Sequence, residues 1–335
     1  MVKVPKGYRS RNVEDRRGSR RSSGGGFGFP TRRRSGGGGL GGGLGGGGLG
    51  GQMGGGSLSP GAAPAGRRGC GGGMGMIIVL VLVVLLASQC LGGGDSAPTS
   101  TGGASTSGGT GATFDTSNYS DAENDAFDLV NFVLDDVQDY WAREFAASGQ
   151  QYPEAQLVIF DRDVRTGGCG TASSNVGPFY CPADSKSYID IPFMFRLQAQ
   201  LGAEGDFAQA YILAHEIGHH VQNVLGINDE VRRRQSGASR AVSNGLQVRM
   251  ELQADCLAGM WARDAEIRGD ILEAGDLQEG VNAAGAVGDD AITGSSNAEN
   301  FTHGTSAQRV RWFTIGFDTG SFDACSTLDL SDGEL

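Results

Sequence analysis

The sequence predicts a folded domain of the α+β class that follows a disordered tail and one membrane-spanning helix. Two short apolar runs have strand character, whereas several longer stretches repeat apolar residues at helical spacing, and this balance is typical of the class. The chain has 335 residues, 59 of them Gly, and many of these glycines lie before residue 75. We therefore expect a disordered Arg/Gly-rich tail (1–75), a transmembrane helix (76–91), a flexible Ser/Thr/Gly linker (92–113) and a folded domain (114–335).

The two ends of the chain carry opposite charge. Residues 1–70 contain 13 Lys and Arg against 2 Asp and Glu, whereas residues 71–335 contain 14 against 36, a net charge of −22. An Arg-rich and then Gly-rich segment cannot bury a hydrophobic core, which predicts disorder. Its basic residues are expected to contact anionic lipid rather than nucleic acid, at roughly 1 kcal/mol for each basic residue near the membrane. The acidic remainder suits either an exported soluble domain or basic substrates.

An uncharged run at 76–91 predicts the membrane helix. With the glycines at 71–75 the stretch is long enough to cross about 30 Å of hydrocarbon. Its distance from the N-terminus argues against a cleaved signal peptide, and Gln89 disfavours lipid attachment at Cys90. Arg67 and Arg68 precede the run, so the positive-inside rule predicts a cytoplasmic N-terminus and a folded domain on the outer side.

The folded domain is predicted to begin with a helix near Ser120, because Ser120 and Glu123 have the spacing of a capping box. The residues that follow form an apolar stripe at helical spacing: Phe127, Val130, Val133, Leu134, Val137, Trp141 and Phe145. Strands are expected at 157–160 and 188–191. Further helices are expected at about 207–225, with Asp206 as cap and Gly226 as stop, at about 246–268, and after Thr305 or Ser306.

The helix at 207–225 contains an H-E-x-x-H motif formed by His215, Glu216 and His219. Residues four apart lie on one face of a helix, so both imidazoles can reach one metal ion, and Zn²⁺ is the metal that this motif predicts, one per chain. Glu216 lies beside the metal and is the predicted general base, taking a proton from a zinc-bound water whose pKa is about 7. Chance placement of these residues on an ordinary helix is the alternative, and the composition disfavours it.

A third ligand is needed, since catalytic zinc sites have three protein ligands and one open position. Glu251 and Asp255 are again four residues apart on a predicted helix, so we assign Glu251 to the metal and Asp255 to the ring N–H of a ligating histidine. The extended pattern with a third histidine is excluded, because Leu225 occupies that position. His220 points about 100° away from His219 and is expected to pack or hydrogen-bond elsewhere.

His303 has two readings. It can stabilise a developing oxyanion from across the cleft, or it can be a loop histidine that caps the last helix, and the sequence does not choose between them.

The cysteines are expected to form disulfides in an exported domain. Of the three pairings that four cysteines allow, we prefer Cys169–Cys181 together with Cys256–Cys325. Structural zinc is the alternative use, but the chain has no closely spaced C-x-x-C pair. Cys70 and Cys90 flank the apolar run and are expected to stay unpaired.

The chain resembles the bacterial family of predicted neutral zinc metallopeptidases. The resemblance rests on five stretches, in order: 9–18, 177–184, 215–222, 251–256 and 303–313. It implies a zincin-like domain anchored in the bacterial cell membrane, a zinc-dependent endopeptidase activity on protein or peptide substrates, and Glu251 as a glutamate-type third ligand. A non-catalytic zincin-fold module that binds or scaffolds the cell envelope is the alternative, and Glu216 favours the enzyme because a scaffold needs no general base. A third possibility makes the basic tail the functional part.

Overall fold

The computed structural model describes residues 2–18, 119–173, 176–201, 205–295 and 297–335. Within them lie a four-stranded sheet, a two-stranded sheet and eight α-helices, so the predicted α+β class is confirmed. None of the helices in these residues is long and apolar enough to cross a membrane. The predicted transmembrane helix (76–91), the linker (92–113), Cys70 and Cys90 all lie outside the described residues.

The larger sheet has the strand order β1-β2-β6-β5. Strands β1 (Val13–Asp15), β2 (Gln156–Phe160) and β6 (Lys186–Asp190) are parallel, and β5 (Phe179–Cys181) pairs antiparallel with β6. Strands β3 (Val164–Arg165) and β4 (Thr171–Ala172) form a separate antiparallel pair. Four of the five residues of β2 and of β6 are buried, as expected of central strands covered on both faces.

Helices form the rest of the domain. They are α1 (Asp121–Ala147), α2 (Ile191–Leu201), α3 (Phe207–Val224), α4 (Ile227–Gln235), α5 (Arg240–Arg268), α6 (Asp276–Ala286), α7 (Asp289–Thr293) and α8 (Ser306–Thr319). Short 3₁₀ turns lie at Ala298–Asn300 and Asp323–Cys325. Helix α1 begins with the capping box predicted at Ser120 and Glu123, and its whole predicted apolar stripe is buried in the main core.

Helix α3 carries the H-E-x-x-H motif and is surrounded by α1, α5 and α6. It ends where Gly226 takes a left-handed conformation at φ 75°, as the stop signal predicts. Asp206 occupies the N-cap position, as expected, but its side chain makes no capping bond to the helix. Its Oδ2 accepts a hydrogen bond from the backbone N–H of Val2 at 2.7 Å, while Glu279 accepts from Phe207 N at 3.1 Å.

Helices α5 and α8 cross with their backbones in contact. A Cβ atom at Gly316 would lie 1.9 Å from the carbonyl oxygen of Cys256, and one at Gly259 would lie 2.1 Å from that of Phe313. Only residues without a side chain fit at these two positions, so the glycines fix how closely the two helices approach.

The N-terminal segment corrects one prediction. Residues 2–18, which the basic composition assigned to a disordered tail, are folded against the domain. Strand β1 pairs in parallel with β2, and Val2 is buried in the main core. The physical reason is that apolar and hydrogen-bonding groups of the segment find partners that are distant in sequence. A prediction from composition averages these residues with the Gly-rich residues that follow and so misses them.

The described residues contain two disulfides, Cys169–Cys181 and Cys256–Cys325. The first joins the end of the β3–β4 turn to strand β5. The second joins α5 to the last 3₁₀ turn, across 69 residues of chain. This is the pairing preferred from the sequence.

Candidate metal centre

Three side chains from two helices converge at the centre of the domain. Helix α3 contributes His215 and His219, and α5 contributes Glu251; one donor atom from each lies within 4.8 Å of the other two. Glu251 Oε2 lies 3.1 Å from His215 Nε2 and 3.6 Å from His219 Nε2. The two imidazole rings stand nearly perpendicular, with centroids 4.7 Å apart. The structure therefore brings together the three residues assigned to the metal from their spacing.

Asp255 fixes the orientation of His215. Its Oδ1 accepts a hydrogen bond from His215 Nδ1 at 2.8 Å, which leaves the lone pair on Nε2, the nitrogen that faces Glu251. The same oxygen accepts from Tyr211 Oη at 2.5 Å and from Arg309 Nη2 at 2.8 Å. Asp255 is fully buried, so these donors replace the water that its charge requires.

A glutamine performs the equivalent task for His219. Gln222 is fully buried, and its Oε1 lies 2.8 Å from His219 Nδ1. An amide oxygen only accepts, so Nδ1 donates and Nε2 keeps its lone pair toward Glu251. The Gln222 amide nitrogen donates to the backbone oxygen of Met250 at 2.8 Å and to Gln253 Oε1 at 3.0 Å, which excludes a flipped side chain.

The charges in the cluster shift one another's pKa values. Burial alone would raise the pKa of Glu251, but His219 and His215 hold it well below its usual range. Burial would lower the pKa of His215, yet the Asp255 carboxylate raises it to about 9. Burial raises the pKa of Glu216. A raised pKa at His215 means that a proton competes with a metal ion for the same nitrogen.

The donor set fits zinc. Two imidazole nitrogens and one carboxylate oxygen make three protein ligands, and each has a hydrogen-bonded neighbour that holds it: Asp255, Gln222 and Gln247, whose Nε2 donates to Glu251 Oε1 at 3.0 Å. Glu216 is also buried, and within the described residues its Oε2 has no hydrogen-bond partner. A buried carboxylate oxygen left free beside such a donor set is what a general base requires.

His220 lies outside the cluster. Its Nε2 donates to the backbone oxygen of Pro153 at 2.6 Å, and its Nδ1 accepts from Tyr180 Oη at 3.0 Å. Burial lowers the pKa of this histidine, which agrees with a neutral ring. His220 therefore ties helix α3 to its surroundings, as its angle on the helix predicts.

His303 is held in the loop that precedes α8. Its Nδ1 lies 3.0 Å from Asp289 Oδ1, and Asp289 Oδ2 accepts from the backbone nitrogens of Thr302 and His303 at 2.6 Å each. The cap of α8 is Thr305, which forms a capping box with Gln308, so the helix-cap reading of His303 is wrong. After His219 and His215, the imidazole of His303 also contributes to lowering the pKa of Glu251.

Several residues of the centre were not predicted from the sequence. Gln222 had a usable signal, since it follows His219 by three residues, almost one helical turn. Arg309 is buried, whereas Arg311 on the same helix is exposed, and the sequence alone does not distinguish the two arginines. Tyr211 and Asp289 carry no such signal, because their polar contacts lie far away in sequence.

The comparisons with known proteins agree with this geometry. Residues 3–328 match the family described as "Putative neutral zinc metallopeptidase". The chain is 46% identical over 220 residues to the uncharacterized protein YpfJ of Escherichia coli (strain K12), covering 64% of this chain and 76% of that protein. It is also 46% identical over 195 residues to the uncharacterized protein Rv2575 of Mycobacterium tuberculosis (strain ATCC 25618 / H37Rv), covering 54% of this chain and 64% of that protein. No solved structure matches the chain. Because the family match spans almost the whole sequence, the chain belongs to the family that carries this description.

Proposed function

We propose that the domain is a zincin-like, zinc-dependent endopeptidase that hydrolyses peptide bonds in protein or peptide substrates. The observation that carries the proposal is the buried Oε2 of Glu216, which has no hydrogen-bond partner among the residues that the structure describes and lies beside His215, His219 and Glu251. A structural zinc site needs only its ligands, and an additional carboxylate without a hydrogen-bond partner would have no role there. A catalytic site, in contrast, requires such a carboxylate as its general base.

Each residue has a defined task. Zinc, when bound, polarises the substrate carbonyl and makes water more acidic. Glu216 accepts the proton of the attacking water at Oε2 and returns it to the leaving amine. Asp255 and Gln222 keep the two histidines in the tautomer that presents Nε2. His303 donates from its second ring nitrogen to the oxyanion that develops on the substrate.

The proposed location is a bacterial cell membrane, with the domain outside the cytoplasm. The apolar run at 76–91 supports anchoring, and the two disulfides support an oxidising compartment. Anionic lipid remains a proposed partner of the basic residues beyond residue 18.

The test is zinc content and cleavage of a mixed peptide library by the purified, oxidised full-length chain. We expect one zinc per chain and cleavage that a chelator abolishes. Glu251→Ala should lose both zinc and cleavage, whereas Glu216→Gln should keep zinc and lose about 10²–10⁴-fold in turnover. Glu266→Ala is the matched control, because Glu266 is exposed on the same helix as Glu251.

Two outcomes would contradict the proposal. Full turnover in Glu216→Gln would remove Glu216 as the base. A folded wild-type chain with neither zinc nor cleavage would favour the binding or scaffolding module.

A further inference from the structure

The N-terminal segment, residues 2–18, is bound to the domain through its backbone. Strand β1 extends the sheet along the outer edge of β2, with Val13, Glu14 and Asp15 in register with 157–159. The backbone N–H of Leu157 donates to Asn12 O at 2.8 Å, and Arg16 N donates to Ile159 O at 2.7 Å. Such an arrangement is strand addition at a sheet edge, the way in which many proteins bind an extended peptide.

Side chains of helix α1 recognise the segment specifically. Asp135 accepts from Ser10 Oγ at 2.6 Å and from Tyr8 Oη at 2.9 Å. Asn131, fully buried, accepts from the backbone N–H of Ser10 at 3.1 Å. The Tyr8 ring also packs edge-on against Phe132, with centroids 5.3 Å apart. The face of α1 is therefore shaped for this sequence and does more than attract positive charge.

Two arginines of the segment contact the domain. Arg17 is almost fully buried, lies 4.1 Å from the Phe127 ring centroid and pairs with Asp15 at 2.8 Å. Arg11 pairs with Glu154 at 3.0 Å. For these two arginines, contacts within the folded chain take the place of the lipid contacts expected from composition.

The segment also reaches the helix that carries the metal ligands. Val2 is buried, and its N–H donates to Asp206, the residue just before α3. Lys3 N donates to Ile271 O at 2.8 Å, beyond the end of α5. The segment thus spans from the sheet edge to the beginning of the motif helix.

We propose that residues 2–18 are a docked strand of the domain, in the same compartment as residues 119–335, and that the face formed by α1 and β2 is the binding site of this segment. Two strands of one sheet cannot be separated by a bilayer. If the apolar run at 76–91 crossed a membrane once, the two docked parts would lie on opposite sides. The segment and the domain therefore share one side, which replaces both the single crossing at 76–91 and the cytoplasmic N-terminus predicted from the sequence.

The first test uses the full-length chain with a protease recognition sequence inserted after Gly50. After cleavage in detergent solution, the fragment 1–50 is expected to stay with the domain through gel filtration. Asp135→Ala should release it, because the variant removes the acceptor for both Tyr8 and Ser10. Asp125→Ala, an exposed position on the same helix, should not. Release of the fragment from the otherwise unchanged, nicked chain would overturn the proposal.

The second test asks the same question in cells. A benzophenone amino acid in place of Tyr8 is expected to cross-link on illumination to peptides of α1, as mass spectrometry of the digested chain would show. Cross-links to lipid or other proteins, with none to α1, would place the segment in another compartment and overturn the proposal. Neither test depends on zinc or cleavage, so failure here and failure of the proposed activity are separate results.

Discussion

Arg309 binds both carboxylate oxygens of Asp255, with Nε 2.8 Å from Oδ2 and Nη2 2.8 Å from Oδ1. The guanidinium also donates through Nη1 to the backbone oxygen of Val287 at 3.1 Å. Arg309 lowers the pKa of Asp255 against the effect of burial. Helix α8 thereby controls the position of His215 through a carboxylate that belongs to α5.

Arg309→Lys should weaken zinc binding about 10–100-fold, the range found when residues that hold a metal ligand are changed. Lysine keeps the charge but cannot engage two oxygens at once, so Asp255 and His215 lose their fixed orientation. Competition with a chromophoric chelator measures the effect. Arg311→Lys, exposed on the same helix, should bind zinc as the wild type does. Equal affinity in a folded Arg309→Lys protein would show that Asp255 needs no bidentate partner.

His303→Ala should lower kcat by about 10²–10³-fold and leave the zinc content unchanged, because an oxyanion donor acts only in the transition state. Asp289→Asn should reproduce part of this loss, since the amide keeps the loop but weakens the hold on the His303 ring. Steady-state kinetics on a fluorogenic peptide, with metal analysis of the same samples, separates the two effects. A variant with normal kcat would leave His303 as a loop residue.

Replacing both Cys256 and Cys325 by Ala should lower the free energy of unfolding by about 4 kcal/mol, as expected for a loop of this length. The Cys169–Cys181 disulfide closes a loop across only 12 residues. Replacing both of its cysteines by Ala should lower the free energy of unfolding by about 3 kcal/mol. Only the first pair should also weaken zinc binding, because Cys256 directly follows Asp255. Urea unfolding and chelator competition on both variants make the comparison. An equal loss of zinc affinity in both would point to a general loss of stability.

Asp190 should make the domain less stable as the pH rises from about 4 to about 6. Burial raises the pKa of this carboxyl to about 6, above the value of about 4 in an unfolded chain. The folded state then holds the proton more tightly, so the stabilising contribution is complete below about pH 4 and is lost by about pH 6.

Asp190→Asn should remove this pH dependence. Relative to the wild type, its free energy of unfolding should increase across the same interval, as urea titrations at several pH values would show. Asp125→Asn, exposed on α1, is the control. Parallel curves for Asp190→Asn and the wild type would mean that Asp190 ionises normally.

Local sequence patterns were enough to predict the helices that matter for the site. His215, Glu216 and His219 are placed by helical periodicity alone, and the same rule selects Glu251 and Asp255. Capping chemistry located the beginning of α1 at Ser120. The beginning of α5 at Arg240, after the Ser239 cap, was missed, because its first turn is exposed and shows no periodic apolar pattern.

Long-range pairing was beyond these patterns. Ser10 and Asn131 are 121 positions apart, and Arg309 and Asp255 are 54 apart. No periodicity links such residues, and in neither case did the average composition indicate the contact. The basic composition of the tail concealed the docked strand, and the exposed Arg311 on the same helix gave no reason to single out Arg309.

Gly259 and Gly316, at the crossing of α5 and α8, can be used to recognise active members among related sequences. A chain can retain H-E-x-x-H and both acidic residues of α5 yet carry a methyl group at either glycine position. Its two helices would then be pushed apart, and Arg309 could no longer reach Asp255. The glycine pair contacts no metal ligand and carries no charge. Its presence nevertheless distinguishes chains that can form this metal centre from chains that contain the H-E-x-x-H motif alone.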